Sequence, residues 1–298
     1  MTTVNLPKVG FIGIGKMGLP MVEHLRRAGY DVTVFDLNHA NLEPARRAGC
    51  RVAETLGGCA SQADVLFSSM PNDGALDAIT GSGGVFDHLN KTAIYVDTST
   101  VSPALSAKVA ERAAAAGIAY VRTAVSGNPV TARAAALTVM ASGPQDAHER
   151  IKPLLETFGK THFYLGTGEQ ARVLKLVINL MIAGTAGLLA EALVLGEKGG
   201  LEWGQMLEII GKSAAGSPMV GYKVPPLTVR DYTSTFSGFQ MIKDLDLILG
   251  EGARSGVPLA LTAHMRQMYE AICAQGDGEL DYISTVRLVE RLAGISTT

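Results

Sequence analysis

The sequence predicts an α/β fold in which a doubly wound parallel sheet is followed by an all-helical domain. Short apolar runs alternate with helical segments through the first half of the chain, as in a parallel sheet with helical crossovers. The strand pattern stops near Gly168. A helical stretch without proline then covers 171–198 and leads into further helices. The order of these patterns is the basis of the two-domain prediction.

The elements of the first domain follow from local signals. The apolar run 9–14 is the first strand, and the helix over 19–28 ends at Gly29. Ser102 and Pro103 are typical of a helix start, and that helix runs to Ala116. The other predicted strands are 31–36, 65–70, 93–97, 119–125, 137–141 and 162–165, and a further helix covers 144–158.

The second domain is predicted to contain helices only. Its long first helix carries the chain across from one domain to the other, so we place the boundary between 1–167 and 168–298. The later helices are predicted over 203–211, 241–256, 258–274 and 282–292.

The amino-acid composition argues against several classes of binding partner. Hydrophobic residues make up 47% of the 298 residues, which is enough to bury a core, and the formal net charge of -2 argues against a nucleic-acid partner. Three scattered cysteines favour a reducing, cytoplasmic location. The apolar stretch 176–190 is shorter than the roughly 20 residues of a membrane span. We therefore expect no membrane or nucleic-acid partner, and no bound metal, because the histidines lack metal-like spacing.

A glycine motif follows the first strand and opens the first helix. Its first glycine permits a tight turn, its second lets the backbone approach a pyrophosphate, and its third allows close helix packing. Asp36 ends the next strand, where a carboxylate binds ribose hydroxyls and repels a 2′-phosphate. This context predicts a Rossmann-type domain that prefers NAD to NADP. The candidate cofactor-binding residues of the loop are Gly13, Ile14, Gly15, Lys16, Met17 and Gly18.

Two later loops also come at the carboxyl ends of predicted strands, where ligands bind in such sheets. Met70, Pro71 and Asn72 follow one strand, and the segment from Asp97 to Thr100 follows the next. These residue types are also common in ordinary turns. Their matching positions on the sheet favour contact with the cofactor.

Lys175 is the most informative charged residue of the long helix. Asn179 lies four residues later, so both side chains project from one helix face. A lysine among apolar neighbours is often one whose stem packs on the surface while its ammonium reaches water. Alternatively, an ammonium partly desolvated in a cleft between the domains loses basicity and suits a general acid or base.

The ordered motifs together resemble the β-hydroxyacid dehydrogenases, the family of 3-hydroxyisobutyrate dehydrogenase and tartronate semialdehyde reductase. They are VGFIGIGKMGLPM (9–21), MPN (70–72), DTST (97–100), VSG (125–127), Lys175 with Asn179, and KD (243–244). The resemblance implies an NAD(P)-dependent oxidoreductase with a helical domain of the 6-phosphogluconate dehydrogenase type. It also implies a small carboxylate substrate and a homodimer or homotetramer.

The resemblance also implies roles for individual residues. Lys175 is the implied general acid/base and Asn179 its partner. Asn72, Thr100 and Lys243 are implied to lie near the cofactor. The implied substrate-binding residues are Ser126, Gly127, Asn128, Lys175 and Asn179.

The substrate loop departs from the family pattern. The family usually has Asp-Ala-Pro-Val-Ser-Gly-Gly where this chain has Arg122-Thr-Ala124-Val-Ser-Gly-Asn128, and Ile178 replaces a frequent asparagine. We therefore expect a different, larger or more polar 3-hydroxy acid than 3-hydroxyisobutyrate. Two alternatives remain open: a reductase of imines or bulky carbonyls on the same fold, and a non-catalytic NAD-binding module.

Overall fold

The computed structural model describes residues 6–295, and the chain forms two compact units. The first ends at Lys175 and the second begins at Leu176. This division lies inside one long helix, several residues after the boundary suggested by the sequence between 167 and 168.

The first unit is an eight-stranded sheet with helices. Its strand order is β3-β2-β1-β4-β5-β6-β7-β8. The strands are β1 (Val9–Ile12), β2 (Val32–Phe35), β3 (Arg51–Val52), β4 (Val65–Ser68), β5 (Ile94–Asp97), β6 (Ala119–Ser126), β7 (Leu137–Ser142) and β8 (Gly159–Tyr164). The helices are α1 (Gly18–Arg27), α2 (His39–Arg47), α3 (Leu56–Ala60), α4 (Asp73–Thr80), α5 (Pro103–Ala115), α6 (Pro129–Arg133) and α7 (Gln145–Leu155). The predicted doubly wound Rossmann-type sheet is confirmed.

The strand order reverses beside β1. Val9 pairs with Val32 of β2 on one side and with Val65 of β4 on the other, and both pairings are parallel. The connections from β1 and β4 therefore leave the sheet in opposite directions at their carboxyl ends, which is where doubly wound sheets bind ligands. The glycine loop and the loop that begins at Met70 both start at this edge.

The pairing of β6 with β7 differs from the parallel sheet that the sequence predicted. These two strands are antiparallel, with Val125 opposite Val139. Only residues 127–136 join them, and a parallel crossover needs a dozen or more residues. The chain instead makes the short helix α6 and returns directly, so the substrate loop predicted at Ser126 is a tight reversal of the chain.

The second unit is helical, as predicted. It contains most of α8 (Gln170–Lys198), followed by α9 (Trp203–Lys212), α10 (Pro218–Thr228), α11 (Gly238–Ser255), α12 (Ala260–Ala274) and α13 (Thr285–Leu292). Its core includes Ala183, Ala186 and Leu193 of α8 together with Leu245 of α11 and Tyr269 of α12. Small residues of α8 allow this close packing.

Helix α8 is long and apolar enough to cross a membrane by length and composition alone. The length argument drawn from 176–190 therefore does not hold for the whole helix, since the sequence pattern beyond that stretch stays apolar. A core helix passes the same test, and Leu176, Leu189 and Leu193 are buried in the core of the second unit. The most apolar part of α8 is 39% buried, so the helix packs against this core with part of its surface only.

Candidate active site

The glycine loop has a geometry that fits a dinucleotide diphosphate. Gly13 has φ +82°, and a Cβ on it would lie 2.5 Å from the carbonyl oxygen of Ser69. A Cβ on Gly18 would lie 2.2 Å from the carbonyl oxygen of Gly13. Around Gly15, by contrast, no atom lies within 4 Å of the corresponding position. The two outer glycines are required by the fold itself, whereas Gly15 leaves open space beside the backbone.

The start of α1 adds an electrostatic reason for an anion at this loop. Met17 stands at the N-cap position and makes no side-chain hydrogen bond to the first turn. The first N–H groups of the helix are thus not capped by a side chain, and the helix dipole favours negative charge there. Lys16 is exposed in the same loop.

The side chain of Asp36 accepts a hydrogen bond from the same glycine loop. Its Oδ2 accepts hydrogen bonds from the backbone N–H of Ile14 at 2.8 Å and from the side chain of Asn41 at 3.1 Å. Its Oδ1 accepts one from the backbone N–H of Asn38 at 2.7 Å. Leu37 beside it is 86% exposed and brings no positive charge. These contacts fix the carboxylate at the end of β2, next to the glycine turn.

The hydroxyl group of Ser99 links the loops after β4 and β5. The Ser99 Oγ accepts a hydrogen bond from the backbone N–H of Met70 at 2.7 Å and donates one to Asp97 at 2.6 Å. Thr100 follows directly and is half-buried, and Pro71 is exposed. Asn72 caps α4, because its Oδ1 accepts a hydrogen bond from Ala75 N–H at 2.9 Å. The structure therefore places the two predicted cofactor-side loops together.

A buried ion pair that the sequence did not reveal lies beneath these loops. Arg172 is 1% exposed and forms an ion pair with Asp97, which is fully buried. Its guanidinium also donates to the carbonyl oxygen of Ser99 at 2.5 Å and to the hydroxyl of Tyr120 at 3.0 Å. Burial opposes its charge, but Tyr120 and Asp97 hold its pKa above the ordinary value. Because Arg172 precedes Lys175 by three residues, this network anchors the helix turn that carries the lysine to the cofactor-side loops.

The predicted substrate loop is organised by helix capping at its end. Gly127 has φ +141°, and a Cβ there would lie 2.4 Å from the Oγ1 of Thr131. The Oδ1 of Asn128 accepts hydrogen bonds from the N–H groups of Val130 and Thr131, and the Thr131 hydroxyl in turn accepts one from the N–H of Asn128. This capping box occupies the oxygen of the Asn128 side chain. The nitrogen of the Asn128 side-chain amide is not used by this cap. Ser126, two residues earlier, is half-buried.

The structure gives a physical reason for one departure from the family pattern. Arg122 of β6 is 6% exposed and forms an ion pair with Glu169, directly before α8, while its guanidinium also lies 4.6 Å from the ring centre of Tyr120. An arginine at this position therefore has a half-buried carboxylate partner. Ala124 is buried in the same strand, and nothing in the structure explains its exchange for proline.

Lys175 and Asn179 lie one turn apart on α8. Lys175 is half-buried, and Asn179 is 6% exposed. The Asn179 amide donates a hydrogen bond to Asp244 of α11 at 2.5 Å. Lys243 Nζ lies 2.7 Å from the other oxygen of the same carboxylate. Two residues predicted from separate motifs, Asn179 and Lys243, thus share one buried partner, while Ile178 is half-buried beside them.

Sequence reasoning missed Arg172 entirely and noted Asp97 and Asp244 only as members of longer motifs. A charged residue next to a buried apolar run was the available signal for each of them. Within residues 6–295, no group of three or more His, Cys, Asp or Glu side chains could hold a metal ion.

Comparison with known proteins agrees with these features. Residues 8–166 match the model of the NAD-binding domain of 6-phosphogluconate dehydrogenase, and residues 169–289 match that of the NAD-binding domain of NADP-dependent 3-hydroxyisobutyrate dehydrogenase. A 2-(hydroxymethyl)glutarate dehydrogenase of Eubacterium barkeri is 36% identical over 98% of this chain and 97% of its own. The chain belongs to the β-hydroxyacid dehydrogenase family. It is accordingly an NAD(P)-dependent hydroxyacid dehydrogenase.

Solved structures share the architecture. The Mycobacterium tuberculosis 3-hydroxyisobutyrate dehydrogenase, solved with L-serine, superposes with a TM-score of 0.87 at 25% identity, over 96% of this chain and 99% of that one. An imine reductase from a Pseudomonas species superposes with a TM-score of 0.64 at 20% identity, over 95% of this chain and 99% of that one. The second likeness shows the fold alone.

Proposed function

We propose that the protein interconverts a small 3-hydroxy acid and its semialdehyde or keto acid with NAD, and that Lys175 is the general acid/base. The observation that carries the proposal is the placement of Lys175 on α8. It follows Arg172, which binds the loop carrying Ser99 and Thr100, by three residues. Through Arg172, the helix turn that carries Lys175 is held against the predicted cofactor-side loops of the first unit.

The residues of the glycine loop and Asp36 would hold the dinucleotide, which when bound supplies the hydride acceptor for oxidation and the donor for reduction. In oxidation, the neutral amine of Lys175 takes the hydroxyl proton of the substrate. In reduction, its ammonium returns a proton to the carbonyl oxygen. Ser126 and the backbone of Gly127 would bind the substrate carboxylate, and the Asn128 amide nitrogen would add a donor.

A preference for NAD is part of the proposal. Asp36 places a fixed negative charge at the end of β2, and Leu37 offers no positive charge for a 2′-phosphate. The family model for the second half of the chain is described as NADP-dependent, so the proposed preference rests on Asp36 and Leu37 and not on the family. Measured dissociation constants of both cofactors decide it.

The substrate is proposed to be a larger or more polar 3-hydroxy acid than 3-hydroxyisobutyrate. The changed loop 122–128 supports this, as does the similarity to a relative whose name refers to a substituted glutarate.

We also propose a soluble, cytoplasmic homodimer or homotetramer without nucleic-acid or membrane partners. The free thiols of Cys50, Cys59 and Cys273 support a reducing compartment, and the exposed apolar side chains of Met181 and Leu188 on α8 support self-association.

Replacing Lys175 by alanine tests the proposal. Oxidation of a panel of 3-hydroxy acids, including 2-(hydroxymethyl)glutarate and 3-hydroxyisobutyrate, is followed by NADH absorbance. Lys175→Ala should reduce turnover by roughly 10²–10⁴-fold, the usual contribution of a positioned acid/base, with the NADH dissociation constant nearly unchanged. Lys198→Ala, at the exposed end of the same helix, is the matched control and should keep full activity.

Three results would redirect the proposal. Full activity in Lys175→Ala removes the lysine from the mechanism. Turnover of cyclic imines but of no hydroxy acid favours the imine-reductase alternative. Tight NADH binding without turnover of any substrate class favours the non-catalytic module.

A further inference from the structure

Asp244 has an unusual pair of partners. The carboxylate is 1% exposed, and its two oxygens bind different groups. The Oδ2 accepts the hydrogen bond from Asn179 Nδ2 at 2.5 Å, and the Oδ1 lies 2.7 Å from Lys243 Nζ. Asn179 and Lys243 belong to motifs far apart in sequence, and the family resemblance implies that both are site residues.

This contact fixes the orientation of the Asn179 amide. A carboxylate paired with an ammonium group has lone pairs to offer and no proton, so only the nitrogen end of the amide can face it. The Asn179 Oδ1 is therefore the branch turned away from Asp244. A reversed amide would set two oxygen acceptors against each other in a buried place and leave both without a donor, which is unfavourable.

The position of the Asn179 amide oxygen affects the hydrogen bonding of the helix face that carries Lys175. Side chains four residues apart on a helix are neighbours. An amide oxygen can accept a hydrogen bond from an ammonium or from a substrate hydroxyl, whereas an amide nitrogen is itself a donor and would oppose both. The orientation of Asn179 thus determines whether this face accepts or donates hydrogen bonds.

We propose that Asp244 is a positioning residue that holds Asn179 with its oxygen available to the proton-transfer step and holds Lys243 beside it. This inference rests on the proposed function. It assigns Asp244 no contact with substrate. Its effect passes through the amide of Asn179.

A purely structural role is the competing explanation, because the second unit buries other carboxylates with cationic partners. Asp281 pairs with Lys223, and Asp277 pairs with Arg287 and Arg291. Their partners are outside the predicted site. Asp277→Asn is therefore the matched control, since it makes the same isosteric change at a carboxylate that holds no site residue.

A reciprocal exchange separates the two explanations. Asn179→Asp sets two carboxylates against each other and should reduce kcat about 100-fold, and Asp244→Asn, which can still accept from Asn179, should reduce it about tenfold. In the double variant N179D/D244N, the new amide at 244 donates to the new carboxylate at 179, which keeps an oxygen on the other branch. The double variant should recover about tenfold in kcat over Asn179→Asp, with KM changed less than about threefold.

A second readout does not depend on activity. In protein labelled with ¹⁵N-asparagine, the side-chain NH₂ signal of Asn179 is the one that Asn179→Ala removes. Its hydrogen bond to a carboxylate should slow its exchange with water, and Asp244→Asn should speed that exchange while Asp277→Asn leaves it unchanged.

The outcomes are distinguishable. A double variant no more active than Asn179→Asp, or an Asn179 signal indifferent to Asp244→Asn, overturns the positioning role. A wild-type protein inactive on every 3-hydroxy acid overturns the proposed function, and the exchange measurement then still decides whether Asp244 holds the amide.

Discussion

Asp97 in the first unit and Asp244 in the second are both buried carboxylates, but they have different partners. Asp97 accepts hydrogen bonds from the hydroxyls of Ser68 and Ser99 and pairs with Arg172, all of them at most 3% exposed. Asp244 pairs with Lys243, whose side chain is 28% exposed, and holds Asn179. Burial alone therefore does not distinguish a carboxylate of the scaffold from one that contacts predicted site residues, whereas the identity of the partners does.

The largest difference should appear in stability. Asp97→Asn leaves Arg172 as a buried charge without its carboxylate, which should cost about 3–5 kcal/mol in the free energy of unfolding. Asp244→Asn should cost only about 1 kcal/mol, because the Lys243 side chain can reach water. Urea unfolding monitored by circular dichroism compares the two variants directly.

The double variant D97N/R172M is the control for this comparison. With the unpaired charge also removed, it should lose less stability than Asp97→Asn alone. Equal losses in the free energy of unfolding for Asp97→Asn and Asp244→Asn would mean that the two carboxylates contribute equally to stability. The contrast between the two units would then be wrong.

Cofactor choice should be a property of the first unit alone. Asp36→Ala combined with Leu37→Arg removes the charge that repels a 2′-phosphate and adds one that attracts it. The ratio of the NADH and NADPH dissociation constants should shift by about tenfold or more toward NADPH. Asp244→Asn is the control and should leave this ratio unchanged. An unchanged ratio in the double variant would remove Asp36 from ribose recognition.

The smallest effects should come from Asn128, which combines a scaffold role with a proposed substrate contact. Asn128→Ala loses the cap of α6 and should cost about 1 kcal/mol of stability. Asn128→Asp keeps an oxygen for the cap but replaces the amide nitrogen by a negative charge. It should retain stability and raise KM for a carboxylate substrate about fivefold. An unchanged KM in Asn128→Asp would make this residue a cap only.

The sequence predicted the parts of the fold that depend on local signals. The glycine loop is an example, because Gly13 and Gly18 are required by the turn and by the contact between them. Helices α2 and α10 were missed, since Pro44 lies inside the first and Pro225 and Pro226 lie inside the second. Proline usually marks a helix end, but here the surrounding packing tolerates it.

Long-range partners were beyond sequence reasoning. Arg172 and Asp97 are 75 residues apart, and Arg122 and Glu169 are 47 apart, so no local pattern connects either pair. The unusual residue at 122 was visible as a departure from the family, yet its reason is a carboxylate brought near by the fold. The position of Lys175 on a helix was predictable, whereas the network that anchors that helix was not.

The Ser99 hydroxyl, which joins Met70 to Asp97, has an evolutionary consequence. Residues 70 and 99 belong to different loops, but a shift of either one alone strains the hydrogen bond from the Met70 N–H to the Ser99 hydroxyl. A displacement of one loop is therefore transmitted to the other through this hydrogen bond. Among descendants of this chain, exchanges in the two loops should accumulate in pairs, with a lone change at Ser99 being the rarer event.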